Sequence, residues 1–477
     1  MYRINKELSI LVISRIAQIV ILLVSIKIST ALLSPTEIGN LYLIMSICSF
    51  FGFFLINPIG QYVNRKTHEW HDNGVILNKL FNYNYYIILT SISSYIVLLV
   101  LYSLGIANNI AYTFLILFIP LFVFFNTWNQ TIIPIFNMLE KWLAFTILTI
   151  STLFLSLLFS YLLIKSYKPE GIIWFLGQIT GLGLMAIIAL IYFVRTMGNN
   201  LNITYAHQEI TWINLKHIAR FAIPLSIGVL FLWMQNQSYR LIIEKYIGAE
   251  FLGYFGVGMA ISSAISTSFE TIVMQFLYPK MYRHMNDEAH FKIIFSNIIN
   301  LILPIYFLLA IFVSYMAIYL TAILVDAKFS SSSSFVIFGI WIEFFRMSSN
   351  LISTIAHSKM QTKTLIMPYA SGGLFVAVGT YYASGTQSYA ILVPIVLLVG
   401  GLLTFWQIFR KMNNIVSFDL RITSFIRVLP YTLVFFLSAL FYSYSTNLFY
   451  SILITLIFGM YFLFVLFKKI KSQGFII

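Results

Sequence analysis

Apolar runs near the roughly 20 residues that a membrane-crossing helix needs follow one another along the whole chain. They fall at about 8–33, 38–62, 80–104, 110–136, 142–164 and 172–194. Eight more fall at about 218–240, 251–278, 292–322, 335–357, 364–384, 389–409, 427–445 and 448–467. Between the two sets lies the longest connection, the polar stretch RTMGNNLNITYAHQEITWINLKH, about 23 residues. No connection is long enough to fold by itself, so any chemistry belongs within the membrane. The pattern predicts an all-α polytopic membrane protein of about 14 transmembrane helices.

Composition agrees. Hydrophobic residues make up 60% of the 477 positions and charged residues 9%, against about 45–50% and about 25% in soluble domains. A soluble enzyme, a secreted scaffold and a disordered tail are excluded. The one cysteine, Cys48, cannot form an internal disulfide. The opening MYRINKELSI has the basic character of a signal peptide, but the apolar stretch runs on to Leu33 without a small-residue cleavage pattern. It is expected to be retained as the first span.

The net charge of +14 raises nucleic acid as a partner, and its placement decides against it. With both termini cytoplasmic, the outer connections receive Lys165, Lys168, Arg240, Lys245 and Lys328. The inner ones receive a much larger set that includes Arg65, Lys66, Lys79, Lys216, Arg220, Arg410, Lys411 and Lys468. This is the positive-inside bias of a membrane protein.

Two stretches resemble each other, KISTALLSPTEIGNLYLI from Lys27 and RLIIEKYIGAEFLGYFGV from Arg240. In both, a basic residue is followed ten positions on by glutamate (Glu37, Glu250) and then by glycine (Gly39, Gly253). The offset of about 213 to 214 fits a six-span bundle repeated in parallel; chance similarity of two apolar stretches is the alternative. The predicted division is an N-terminal lobe 1–195, a cytoplasmic linker 196–216, a C-terminal lobe 217–411 and two additional spans in 412–477.

Polar residues within spans usually face the bundle interior or a wet cavity. At about 100° per residue, Arg15, Gln18, Ser25 and Ser29 form one stripe. Lys27 lies outside it, placed either to snorkel outward or to reach the interior. Asn126, Asn129, Gln130 and Asn137 cluster on the fourth span, suited to sugar hydroxyls or to tying helices together at roughly 1 kcal/mol each. The run Gln235–Arg240 surrounds its helix and reads as an outer end entering water. Ser263, Ser266, Thr267 and Glu270 share a face of the eighth span, with Glu270 either paired or able to take up a proton. The tenth span gives the clearest stripe: Glu343, Arg346, Asn350, Ser353, Thr354 and His357. Glu343 and Arg346, spaced i, i+3, either neutralise each other or leave Arg346 for a ligand phosphate. Walker A, zinc and nucleophile-elbow motifs are absent from the sequence, which disfavours an enzyme.

Residues 217–282 resemble the second-half signature of polysaccharide repeat-unit flippases of the Wzx type. The resemblance rests on Pro224, Arg240, the turn Gly248, Glu250, Gly253 and Phe255, and Pro279. The first span with Arg15, followed by SPTEIGNLYLI, resembles the matching N-terminal part. Members often carry an acidic residue before the arginine of the seventh span, where this chain has Tyr239. These flippases belong to the multidrug/oligosaccharidyl-lipid/polysaccharide exporter superfamily. The resemblance implies a MATE-like architecture: two six-helix lobes around a central cavity, plus two C-terminal helices.

It also implies translocation of an undecaprenyl-diphosphate-linked oligosaccharide, for O-antigen or capsule, across the bacterial inner membrane from cytoplasmic to periplasmic leaflet. Arg15 and Arg346, with Lys27 and Arg240, are the expected cavity cations. Gln18, Asn126, Gln130, Asn350 and Ser353 are its expected polar lining. No cofactor or metal is expected, and proton or sodium coupling would involve Glu270 or Glu343. Expected partners are the lipid-linked substrate, membrane lipid, and the polysaccharide polymerase and chain-length machinery; nucleic acid is not one. Competing readings are a multidrug exporter or a lipid II flippase of the same superfamily, and a membrane polymerase or ligase.

Overall fold

The computed structural model describes residues 6–198, 201–208, 210–283, 288–359, 361–445 and 447–472, and every regular element among them is helical. Thirteen of these helices are long and apolar enough to cross a bilayer. The remaining predicted span, 364–384, is present as the shorter helix Ile366–Ser384. Packing divides the chain into two compact units, Met1–Gly253 and Tyr254–Ile477.

In the first unit, α1 (Lys6–Leu32) is amphipathic in the sense expected of a helix in lipid. Ser14, Gln18, Ser29 and Thr30 are buried, while Ile13, Ile16 and Val20 are exposed. Ser34 caps α2 (Pro35–Phe50) by accepting from the Glu37 amide, with Pro35 in the first turn. Glu37 then crosses to another element: its carboxylate accepts from the Gly171 amide at 2.7 Å, at the start of a later helix. After α2 the backbone widens into a π-helical turn, Phe51–Ile56, and continues as α3 (Asn57–Asp72). Pro58 explains the widening, because it supplies no N–H to the carbonyl four residues before it.

There follow α4 (Ile76–Ser103), α5 (Tyr112–Met138), α6 (Trp142–Ser166) and α7 (Gly171–Met197). α6 and α7 pack at backbone distance. A Cβ on Gly177 would stand 2.3 Å from Ser160 Cα, and one on Gly181 2.4 Å from the Ser156 nitrogen. Ser160 Oγ donates across the contact to the Trp174 carbonyl at 2.8 Å.

The connection expected to be a plain polar loop holds a short helix, α8 (Ile203–Gln208), tied to α4. Asn82 Nδ2 donates to the Ala206 carbonyl at 2.7 Å, and the Asn202 amide donates to Asn78 Oδ1 at 2.9 Å. α9 then runs from Trp212 to Tyr246, longer at both ends than the 218–240 expected. The reading of Gln235–Arg240 as an end entering water is therefore corrected. These residues lie inside a helix packed against α2 and α3, and Tyr239 is only 2% exposed. α2 supplies the polar partners: Ser46 Oγ donates to the Gln237 carbonyl at 2.8 Å, and Trp233 Nε1 donates to Ser49 Oγ at 3.0 Å.

α10 (Ala249–Arg283) begins in this unit. Its Gly253 and the Gly39 of α2, 214 positions apart, meet reciprocally. A Cβ on Gly39 would lie 1.8 Å from the Ala249 carbonyl oxygen, and one on Gly253 2.0 Å from that of Pro35. The glycine shared by the two similar stretches thus has a packing reason: each backbone rests on the other's carbonyl, with no room for a side chain.

In the second unit, α11 (Glu288–Leu324) is the most deeply enclosed helix, and a 3₁₀ turn leads into α12 (Ser333–Ser358). α13 (Ile366–Ser384) packs on α14 (Tyr389–Ile415), which also lies against α12. The thirteenth span is not one α-helix. It is α15 (Ile422–Ile426), α16 (Leu429–Phe436) and a 3₁₀ segment, Leu437–Tyr444, before α17 (Leu448–Ser472). Both of the last two spans pack on α11, where Tyr319 donates to the Ser438 carbonyl at 2.7 Å. α10 and α12 are drawn together by Gly258 and Gly339, whose Cβ positions fall 2.8 Å from the Ser332 carbonyl oxygen and 2.7 Å from Ser262 Oγ. Of Pro279 only the backbone, within α10, is described.

Candidate functional site

Each unit holds its own group of polar intramembrane residues. In the first, α2, the π turn, α3 and α5 enclose a cavity of about 580 Å³. Its polar lining is mostly carboxamide, Asn57, Gln61 and Asn64 from α3 and Asn126 and Gln130 from α5, with Ser49 and Thr131 beside them and Phe53 and Phe122 as aromatic wall. Asn57, Gln61 and Asn64 stand at i, i+4 and i+7, so they share one helical face.

Within each helix one amide orients the next. Gln61 Nε2 donates to Asn57 Oδ1 at 3.1 Å, and Gln130 Nε2 donates to Asn126 Oδ1 at 3.3 Å. This leaves Asn57 Nδ2, Asn126 Nδ2 and the side-chain oxygens of Gln61 and Gln130 for a ligand, a mixed set of donors and acceptors without formal charge. Gly52 and Gly60 line the same space, and a Cβ on either would meet nothing within 4 Å. Close to a π turn, a feature frequent at functional sites, this is a pocket shaped for a neutral, hydroxyl-rich group with an apolar face.

Asn129, expected in the same stripe as Asn126, turns away and donates to the Leu182 carbonyl at 2.9 Å, joining α5 to α7. Sequence reading missed Asn57, Gln61 and Asn64, although their spacing was a signal.

Two cations of the first unit, Arg15 and Arg240, hydrogen-bond to neutral side chains. Arg15 Nη1 donates to Gln18 Oε1 at 3.0 Å, and Gln18 donates to Ser14 Oγ at 3.0 Å, a chain along α1. Arg240 donates from Nε to the Tyr239 hydroxyl at 3.2 Å, its guanidinium 5.4 Å from the Tyr42 ring centroid and 5.6 Å from that of Tyr239. A phenol thus stands immediately before Arg240 and accepts from it. Lys27 is half-buried near the C-terminal end of α1. Glu244, unnoticed in the sequence, is buried and accepts from the Ala107 amide at 3.2 Å, holding the α4–α5 turn in which Ala107 has φ +66°.

The second unit contrasts with this. Arg346 on α12 donates from Nε to Glu343 at 2.5 Å and from Nη1 to Glu270 of α10 at 2.9 Å. Asn350 Nδ2 donates to the second oxygen of Glu270 at 3.0 Å. The three charged side chains are 23% (Arg346), 12% (Glu270) and 8% (Glu343) exposed. Of the two alternatives for Arg346, the i, i+3 pairing with Glu343 is present, and Glu270 joins it. With two carboxylates on one guanidinium, the triad carries a net charge of −1 when fully ionised. Arg346 Nη2 is buried without a hydrogen-bond partner. Ser353 is buried and donates to the Asn350 carbonyl at 2.9 Å, a helix-internal role. Among the described residues no group of three or more His, Cys, Asp or Glu is placed to hold a metal ion.

A sequence family described as "Polysaccharide biosynthesis protein" matches residues 29–334, well over half of the chain. The chain belongs to this family. No curated protein matches the sequence. Among solved structures, this family member is similar to the lipid II flippase MurJ in its inward closed conformation. The TM-score is 0.70 at 14% identity, covering 94% of this chain and 97% of that one. It is also similar to a multidrug resistance MATE family transporter of the MOP superfamily in an inward-facing conformation. There the TM-score is 0.51 at 11% identity, covering 84% and 94%. At these identities the likeness establishes a MurJ/MATE-like fold and a multi-pass membrane protein.

Proposed function

We propose that the protein is a flippase, not an enzyme, that carries lipid-linked oligosaccharide repeat units of a surface polysaccharide across the bacterial inner membrane by alternating access. The carrying observation is the uncharged, amide-lined cavity of about 580 Å³ in a chain of the polysaccharide biosynthesis family. Moving a diphosphate and several sugars unaided through about 30 Å of hydrocarbon would strip hydration worth many times the thermal energy. Amides exchange hydrogen bonds with hydroxyls one for one, and the aromatic wall takes the apolar face of a pyranose. The lipid tail stays in the bilayer.

Arg15, Arg240 and Lys27 attract the diphosphate in this reading, Arg15 and Arg240 being without carboxylate partners among the described residues. Arg346, held by two carboxylates, serves the triad instead. The triad's excess negative charge suits it to take up a proton or a sodium ion, which makes Glu270 and Glu343 the coupling residues. The cargo is an undecaprenyl-diphosphate-linked O-antigen or capsule unit, passed on to polymerase and chain-length machinery.

The test is leaflet assignment of the lipid-linked unit in cells depleted of the protein. Accumulation on the inner leaflet with loss of surface polymer is expected. Unchanged leaflet distribution, or death of cells that make no surface polysaccharide, would overturn the reading.

A further inference from the structure

A second cavity in the first unit, about 400 Å³, is lined by Tyr62, Arg65 and Lys66 of α3 and by His217, Arg220 and Phe221 of α9. The positive-inside rule asks only that basic residues lie in inner connections. It does not ask two separate helices to bring cations to one hollow and wall it with aromatic rings. Here the Arg65 guanidinium lies 5.3 Å from the Phe221 ring centroid, and Tyr62 packs edgewise on His217 and at a tilt on Phe221. Three permanent cations, Arg65, Lys66 and Arg220, line the cavity, and Lys66 pairs with Glu69 at 2.5 Å. A planar guanidinium held over a ring, as that of Arg65 is, favours bidentate phosphate binding.

The depth of the cavity follows from the turns that precede it. Trp212 and Ile213, at the start of α9, are 78% and 79% exposed, and Ile203, Ile210 and Leu215 are exposed as well. A connection bathed in water does not display such a set, whereas tryptophan and aliphatic residues beside cations mark a helix lying at headgroup level. We propose that this cavity binds the phosphate or diphosphate headgroup of a membrane lipid on the side assigned to the cytoplasm. The headgroup belongs either to a resident phospholipid or to the lipid-linked cargo, and only the second case rests on the function proposed above.

The experiment is native mass spectrometry of the full-length protein in dodecyl maltoside, titrated with phosphatidylglycerol, undecaprenyl diphosphate and, as a phosphate-free reference, diacylglycerol. The phosphate lipids are expected to be retained and diacylglycerol not. The double variant Arg65→Gln/Arg220→Gln should bind them at least tenfold more weakly, while Lys165→Gln/Lys168→Gln, which removes the same charge elsewhere, binds as wild type. At least tenfold preference for undecaprenyl diphosphate assigns the site to cargo entry; comparable affinities assign it to a resident phospholipid. Retention independent of phosphate, or equal binding by the Arg65/Arg220 variant, would overturn the site. Neither result depends on transport, so the site and the flippase reading fail separately.

Discussion

The amide cavity of the first unit and the charged triad of the second solve opposite problems with intramembrane polarity. In the cavity, Asn57, Gln61, Asn126 and Gln130 pair only within their own helices and keep donors and acceptors facing open space. In the triad, α10 and α12 bring Glu270, Glu343 and Arg346 together until most of their charge is spent on one another. Neutral amides tolerate standing half-solvated, whereas isolated charges in a low-dielectric setting do not. On the function proposed above, the site that releases its ligand on each cycle is built from amides, and the one that couples a small ion or proton from carboxylates around a fixed cation.

The comparison breaks most severely at Arg346. Replacing it with alanine leaves two enclosed carboxylates without their cation, a change that typically costs about 3–5 kcal/mol. We expect a large fall in melting temperature in detergent, partly restored by adding Glu270→Gln.

Next in size is Gly52→Phe, which fills the amide cavity from a position with no neighbour within 4 Å. Surface polymer should fall about tenfold or more, equivalent to at least about 1.4 kcal/mol of binding, with melting unchanged. Preserved output would remove the cavity from the substrate path.

Asn126→Leu takes away a single amide, so a loss of about 1 kcal/mol, or roughly fivefold in oligosaccharide affinity, is expected, without altered ion dependence. Glu270→Gln should do the reverse, blunting the response of transport to an imposed proton or sodium gradient while leaving affinity nearly intact. The smallest effect calibrates the others: Ser160→Ala, in the α6–α7 contact and part of neither site, should lower stability by about 0.6 kcal/mol and leave transport unaltered.

The spans were legible because each buries backbone polarity within itself, so apolar length alone announces it. The stripe Glu343, Arg346, Asn350 was legible because three residues on one helix need only the helical repeat. That Glu270 would complete it was not, since this depends on how closely α10 and α12 approach, which Gly258 and Gly339 decide. Asn57, Gln61 and Asn64 share one face by spacing alone, but the expected span ended at 62, before Asn64, and that this face lines a cavity with α5 depends on the fold. The run Gln235–Arg240 was misread because its partners, Ser46 and Tyr42, come from a helix nearly two hundred residues earlier. Arg65 and Arg220 were counted as topology signals, and only the folded chain brings them to one cavity.

The reciprocal seat of Gly39 and Gly253 ties the history of one stretch to that of the other. Whichever glycine drifts toward a larger residue displaces the backbone of the other stretch, so neither position is free to mutate alone. In descendants of this chain the two should remain small together, an inheritance enforced by geometry rather than by any ligand.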